Sequence, residues 1–223
     1  MSGVSTGSTD EGSSTDEGSS TDVPRVFLAS RNAKKLEEMR RILAEHLPEI
    51  EVLGLDDVPA YDEPVEDQPT FEGNALLKAR AGLTATGLPS IADDSGLCVD
   101  ALNGMPGVLS ARWSGQPKSD DRNNALLLDQ LHDVPDERRG AHFASVVAFC
   151  APGHEPIVVE GRMDGCVIRE TRGTGGFGYD VVFEAVEYPG RTTAELDPAD
   201  KDAISHRGRA LRTIAPRITA QLG

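Results

Sequence analysis

From residue 23 onward, short apolar runs alternate with amphipathic stretches. Val26-Phe27-Leu28-Ala29 follows Pro24 and predicts a buried strand. Leu36, Met39, Leu43 and Leu47 then recur at helical spacing, with Glu and Arg between them, and predict an amphipathic helix ending before Pro48. Glu51 to Leu55 reads as a second strand, and residues 56–69, with three prolines and many acids, read as a loop. Thr70 caps a helix through Leu83, with Gly87 past its end. Pro89 to Ala92 forms a strand entering Asp93-Asp94-Ser95-Gly96. Leu97 to Leu102 reads extended again before an Asn103-Gly104 turn.

Ser119 caps a helix through Leu131. Residues 141–150 and 156–168 read as two longer strands broken at Pro152-Gly153. Glycines crowd residues 173–178, and Val181-Val182-Phe183 reads as another strand. Ser205 caps a final helix carrying Leu211, Ile214 and Ile218. Such alternation predicts an α/β protein with a mixed sheet, and the long central strands suggest a second lobe.

Residues 1–22 break this pattern. From Ser8 they repeat STDEGS, STDEGS, STD, with no apolar residue between Val4 and Val23. A segment without apolar surface cannot offset the entropy of ordering, so a disordered acidic tail is expected over 1–22 and the folded domain over 23–223. The start has neither the basic region nor the apolar stretch of a secretory signal.

The 223 residues carry a formal charge of −15. The tail holds Asp10, Glu11, Asp16, Glu17 and Asp22 and no base, leaving 32 acids against 22 bases, or −10, in the domain. That balance argues against a nucleic-acid partner, because phosphate contacts dominate such binding. One anion in one locally basic pocket stays possible. No apolar run approaches the roughly 18 residues of a membrane span. Cys98, Cys150 and Cys166 are odd in number and widely spaced, which fits free thiols in a reducing cytoplasm better than a zinc knuckle or a disulfide framework.

Five segments carry candidate chemistry. Ser30-Arg31-Asn32-Ala33-Lys34-Lys35 joins the first strand to the first helix, where free backbone N–H groups and the helix dipole attract anions. Three bases there oppose the dipole unless an anion joins them. The GxxxxGK[ST] signature is absent, so this is no Walker loop. Asp93-Asp94-Ser95-Gly96 places two carboxylates at the end of an apolar strand, costly without a cation and suited to Mg²⁺. In the first turn of the second helix, which begins at Thr70, Glu72 can complete such a site, and Lys78, four residues beyond Asn74, can meet phosphate.

Gly173-Thr174-Gly175-Gly176-Phe177-Gly178-Tyr179-Asp180 contains GxGxxG, but a strand-like run follows rather than a helix, which excludes a dinucleotide fold. Phe177 can stack on a purine and Asp180 can accept from a ring N–H. Lys201 and Ser205-His206-Arg207-Gly208 supply donors for a carbonyl or a phosphate.

In order, A-S-R-N-A-K-K, T-F-E-G-N-A-L-L-K-A-R, I-A-D-D-S-G-L, P-G-V-L-S-A-R-W-S-G, G-T-G-G-F-G-Y-D and S-H-R-G-R-A-L resemble the inosine triphosphate pyrophosphatase family, which acts on noncanonical purine nucleoside triphosphates. The resemblance spans nearly all of residues 24–222 and leaves out the tail. It implies an elongated, two-lobed α/β fold, usually a cytoplasmic homodimer. It also implies Mg²⁺-dependent cleavage of ITP, dITP or XTP to the monophosphate and pyrophosphate.

By motif, Ser30, Asn32, Lys35 and Lys78 resemble the triphosphate contacts, with Arg31, Ala33 and Lys34 in the same loop. Glu72 and Asp94 resemble the metal holders, and Asp94 the acid–base residue, with the neighbouring Asp93 the alternative base. Ser95 resembles a substrate contact. Phe177, Gly178, Tyr179, Asp180, Lys201, His206 and Arg207 resemble the base pocket. Arg31, Lys34 and Val181 depart from the family's frequent residues, though none touches the carboxylates. Two other readings are a nucleotide sensor without catalysis and a γ-phosphatase of ordinary triphosphates. The first has no need of Glu72, Asp93 and Asp94 together, and the second releases orthophosphate.

Overall fold

The structure, a computed structural model, describes Gly3 and residues 23–222. The tail expected over 1–22, Gly3 apart, lies outside the described residues. Six strands form one sheet in the order β2-β1-β3-β4-β5-β6. They are β1 (Arg25–Leu28), β2 (Glu51–Leu53), β3 (Ser90–Val99), β4 (Gly140–Cys150), β5 (Ile157–Val167) and β6 (Phe183–Ala185). β2, β1 and β3 are parallel, and β3 to β6 are antiparallel. The expected α/β class with a mixed sheet is what the chain adopts.

Helix α1 (Ala33–His46) starts where the Asn32 side chain accepts from the Lys35 backbone N–H at 3.2 Å, and α2 (Phe71–Thr86) starts at Thr70, whose hydroxyl accepts from Gly73. Gly87, at φ +70°, ends α2 in the left-handed conformation that an L side chain resists. α3 spans Asp120–Gln130, α4 Pro198–Ile204 and α5 His206–Leu222.

Strand alternation distributes the core between two faces. Ile91, Val147, Phe149 and Val159 pack on α1 and α5 through Met39, Leu43, Leu211 and Ile214. Ala92, Val146, Ala148 and Cys150 face α2 through Ala75 and Ala79. The far halves of β3, β4 and β5 run into a further cluster, where Leu97, Phe143 and Met163 meet Leu127 and Leu131. These long strands run through all three clusters.

Several boundaries differ from the sequence reading. Asp93-Asp94-Ser95-Gly96 does not end a strand; it lies inside the ten-residue β3. The reason is pairing. β1 accompanies β3 only through Leu28↔Ile91, whereas β4 pairs along the whole of it, from Ser90↔Cys150 to Val99↔Ala141. The carboxylates thus sit where the parallel neighbour ends and the antiparallel one continues. Asp180–Val182 forms a single 3-10 turn ahead of β6, and Asp100–Leu102 another after β3. Helix α4 went unpredicted, since seven residues show little period.

Gly161, on β5, sits directly beneath α5. A Cβ there would run into the His206 carbonyl oxygen and lie 2.6 Å from the Ala210 nitrogen. Gly161→Ala is expected to lower stability by about 1–3 kcal/mol, read as a lower urea midpoint at unchanged slope. An unchanged midpoint would contradict this packing of helix on sheet.

Candidate active site

A cavity of about 600 Å³ opens where β1 ends. One side is built by the β1–α1 turn and α2. Ser30, Arg31, Asn32, Lys35 and Lys78 line it, whereas Ala33 and Lys34 do not. Lys34 instead reaches across to the Gly176 carbonyl at 3.4 Å. Arg31 pairs at 2.9 Å with Glu63, and Asn32 caps α1.

Asp93 and Asp94 point to opposite faces of β3 and have different surroundings. Asp93 faces α1 and α5. Its Oδ2 accepts from Lys35 Nζ at 3.2 Å and from Arg207 Nε at 3.1 Å. Burial alone would raise its pKa, but Lys35, Arg207 and Lys78 overcome this and hold the group far below the ordinary aspartate range. Asp94 faces α2 and lines the cavity. Its Oδ2 accepts from the Asn74 amide at 2.9 Å, and Lys78 Nζ lies 3.8 Å from Oδ1. Here burial wins, and despite Lys78, Lys35 and Asn74 the pKa is raised. One carboxylate is therefore a fixed counter-ion, and its neighbour faces the cavity with a raised affinity for a proton.

Glu72 does not join Asp94. Asn74 faces β3 and is fully buried, so the residue two positions earlier, about 200° round the helix, points away, and Glu72 is exposed. A second carboxylate beside Asp94 in the cavity lining is Glu66, which accepts from Lys78 Nζ at 2.7 Å. Burial would raise its pKa, but Lys78 lowers it further, and the net direction is down. Glu66 stands in the irregular proline-rich loop, where periodicity gives no signal.

The opposite side of the cavity holds Phe177, Gly178, Tyr179, Asp180, Lys201, His206 and Arg207, brought together from three segments as the sequence predicted. Lys201 Nζ lies 5.1 Å from the Phe177 ring centre and Arg207 Cζ 5.7 Å. His206 stacks on Phe143, centroids 4.9 Å apart and planes at 13°. Tyr179 donates to the Ser110 carbonyl at 2.9 Å, and the Gly178 N–H donates to Asp120 at 2.8 Å.

Asp180 is only 3% exposed, and its oxygens already accept from Phe177 N, Thr193 Oγ1 and Lys201 Nζ, so most of its acceptor capacity is taken up inside the protein. Arg207 is a brace: Nε donates to Asp93, one terminal nitrogen to Glu38 at 2.6 Å and the other to Ser95 Oγ at 2.9 Å. Glu38 and Thr193 escaped sequence reasoning. Glu38 stood beside Lys34 and Lys35 as one more helix charge, and its burial was the missing signal.

Comparison with known proteins places the chain among close relatives. A profile of the Ham1 family matches residues 26–217. A protein of Nocardia farcinica named dITP/XTP pyrophosphatase is 59% identical over 197 residues, covering 88% of this chain and 95% of that protein. One from Mycobacterium bovis with the same name is 56% identical over 198 residues, covering 88% and 96%. The crystal structure of a nucleoside-triphosphatase / dITP/XTP pyrophosphatase from Mycobacterium abscessus is 54% identical, with a TM-score of 0.70 over 86% of this chain and 99% of that one. The Ham1 protein of Staphylococcus aureus, 35% identical, gives 0.78 over 88% and 99%.

Burial, with Arg207 and Lys201 adding to it, holds the His206 pKa well below its ordinary value. The unfolded chain binds a proton near pH 6.5 and the folded chain does not, so stability falls as pH drops below about 6.5, by up to about 1.4 kcal/mol per unit from this group. His206→Gln should flatten the pH dependence of the urea midpoint between pH 7 and 5.5 relative to wild type. Equal slopes in both proteins would contradict a neutral His206.

Proposed function

Because the chain belongs to the Ham1 family, we propose that it hydrolyses noncanonical purine nucleoside triphosphates, dITP, ITP and XTP, to the monophosphate and pyrophosphate. The observation that carries this reading is one cavity with a cationic, carboxylate-bearing end and an aromatic, donor-bearing end, linked through Ser95 and Arg207. A triphosphate brings about four negative charges. Lys35 and Lys78 meet them, with Ser30 and the first-turn N–H groups of α1 supplying neutral donors.

Asp94 orients water and takes its proton; a carboxylate with a raised pKa suits that task. The water oxygen bonds to the α-phosphorus, the bond from that phosphorus to the bridging oxygen breaks, and its electron pair leaves with pyrophosphate. Ser95 next to Asp94, tied to Arg207 at the base end, supports attack on the nucleoside side of the chain rather than at the γ-phosphorus. Asp93, held as a counter-ion, is not the base.

Asp94 and Glu66 fit Mg²⁺: both offer hard oxygens to one cavity, and this ion commonly takes one or two carboxylates and completes its shell with water and substrate phosphates. Glu66 takes the place given by sequence to Glu72. Bound there, the ion supplies neutralisation of phosphate charge. Phe177 stacks on the purine, and neutral His206 donates to a 6-oxo group; adenine's 6-amino group leaves that donor unpaired. Homodimeric assembly and action in the cytoplasm, where the nucleotide pool lies, belong to the same proposal. No helix among the described residues is long and apolar enough to cross a membrane.

A product assay over a panel of triphosphates, with Mg²⁺ and with chelator, tests the reading. Pyrophosphate from dITP, ITP and XTP but little from ATP is expected, and its loss on chelation. Orthophosphate as first product identifies a γ-phosphatase instead. Asp94→Asn should slow pyrophosphate release about 10²–10⁴-fold with thermal unfolding unchanged. Undiminished release by that variant refutes the assignment of the base.

A further inference from the structure

Asp180 sits at the hub of the base end, with most of its acceptor capacity taken by donors of the protein itself. Its Oδ2 accepts from the Phe177 N–H at 2.8 Å and from Lys201 Nζ at 2.5 Å. Its Oδ1 accepts from Thr193 Oγ1 at 2.8 Å. The two groups on Oδ2 are the stacking residue's own backbone and the cation set over its ring. The carboxylate thus fixes Phe177 and Lys201 relative to each other, and its rotation about Cβ–Cγ must itself be fixed. Thr193 does that. Among the described residues its hydroxyl is the side-chain donor to Oδ1, and it also lies 3.3 Å from the Asp180 carbonyl oxygen.

Thr193 is held firmly. It is 1% exposed and lies in a short 3-10 turn, Thr193–Glu195, whose N-terminus is closed by reciprocal bonding between Thr192 and Glu195. The same turn seats the glycine loop. Gly175 N–H donates to the Ala194 carbonyl at 3.0 Å, and Cβ atoms on Gly173 and Gly175 would each come within 2.8 Å of Ala194 backbone atoms. The glycines let the loop lie flat on this turn, and only the Thr193 hydroxyl reaches through to the carboxylate hub.

We propose that Thr193, which does not line the cavity, is a positioning residue for purine recognition: its hydroxyl orients the Asp180 carboxylate, which sets Phe177 and Lys201. The proposal rests on the base-pocket reading above. A hydroxyl bonded to a buried carboxylate is a charge-assisted contact, stronger than a neutral one, so its removal frees the hub to turn. The effect falls on binding of the base and leaves the phosphate end, on the other side of the cavity, untouched.

The test uses Thr193→Val, Thr193→Ala, Thr193→Ser and Phe177→Ala in the full chain. Pyrophosphate release from ITP gives kcat and KM, and calorimetry gives the affinity for inorganic tripolyphosphate with Mg²⁺, a probe without a base. In Thr193→Val and Thr193→Ala, KM for ITP should rise about tenfold, with kcat within about twofold and tripolyphosphate affinity unchanged. Thr193→Ser should restore KM to within about twofold of wild type.

The proposal is overturned by an unchanged KM, by equal losses of kcat and tripolyphosphate binding, by failure of serine to rescue, or by failure of both the valine and alanine variants to fold. Phe177→Ala separates the two layers. If it leaves KM for ITP unchanged, the base-pocket reading itself fails. If it raises KM while Thr193→Val and Thr193→Ala are silent, only the role of Thr193 fails.

Discussion

Burying the Arg207 guanidinium, 1% exposed, is the constraint on which the site's geometry depends. A buried cation is costly unless its nitrogens find acceptors, and here they find Glu38 on α1 and Asp93 and Ser95 on β3. Burial would lower its pKa, but Glu38 and Asp93 outweigh it, so the group stays charged. The acceptors lie on α1 and β3, and Arg207 itself on α5. Lys35 joins at Asp93, so the phosphate end and the base end share one carboxylate. A planar fork with fixed directions meets three acceptors at once; a lysine ammonium in its place could not.

Charge segregation follows from the same network. The chain is acidic overall, yet Lys35, Lys78, Lys201 and Arg207 gather around one cavity. Each is offset locally, Lys35 by Asp93, Lys78 by Glu66 and Asp94, Lys201 by Asp180 and Arg207 by Glu38 and Asp93. Strand alternation then gives two adjacent aspartates opposite tasks. Asp93 faces α1 and α5 and stays ionised as a structural partner. Asp94 faces α2 and the cavity, where burial raises its affinity for a proton.

Motifs whose side chains act near their own backbone could be read from the sequence. The Ser30–Lys35 turn, the Phe177–Asp180 loop and His206-Arg207 converge as expected, because each is fixed by a local strand–helix or glycine-loop geometry. What failed did so for identifiable reasons. Glu72 was placed by its first-turn position and by motif, although helical phase turns it away from the side on which Asn74 is buried. Glu66 lay in an aperiodic loop. The Asp93–Gly96 segment looked like a strand end because its polarity resembles a turn, whereas long-range pairing with β4 keeps it extended. The bracing of Asp180 by residues 193 and 201 is likewise invisible to local pattern. Glu38 and Thr193 share that property: their roles exist only once distant segments meet.

The direct measurement of the central claim is calorimetric binding of Mg²⁺–tripolyphosphate and, separately, of inosine to wild type and Arg207→Lys. If one buried guanidinium orients both ends of the cavity, the lysine variant binds both ligands more weakly, each by about tenfold. Loss of inosine binding with tripolyphosphate affinity intact would show that the two ends are positioned independently and would contradict the account.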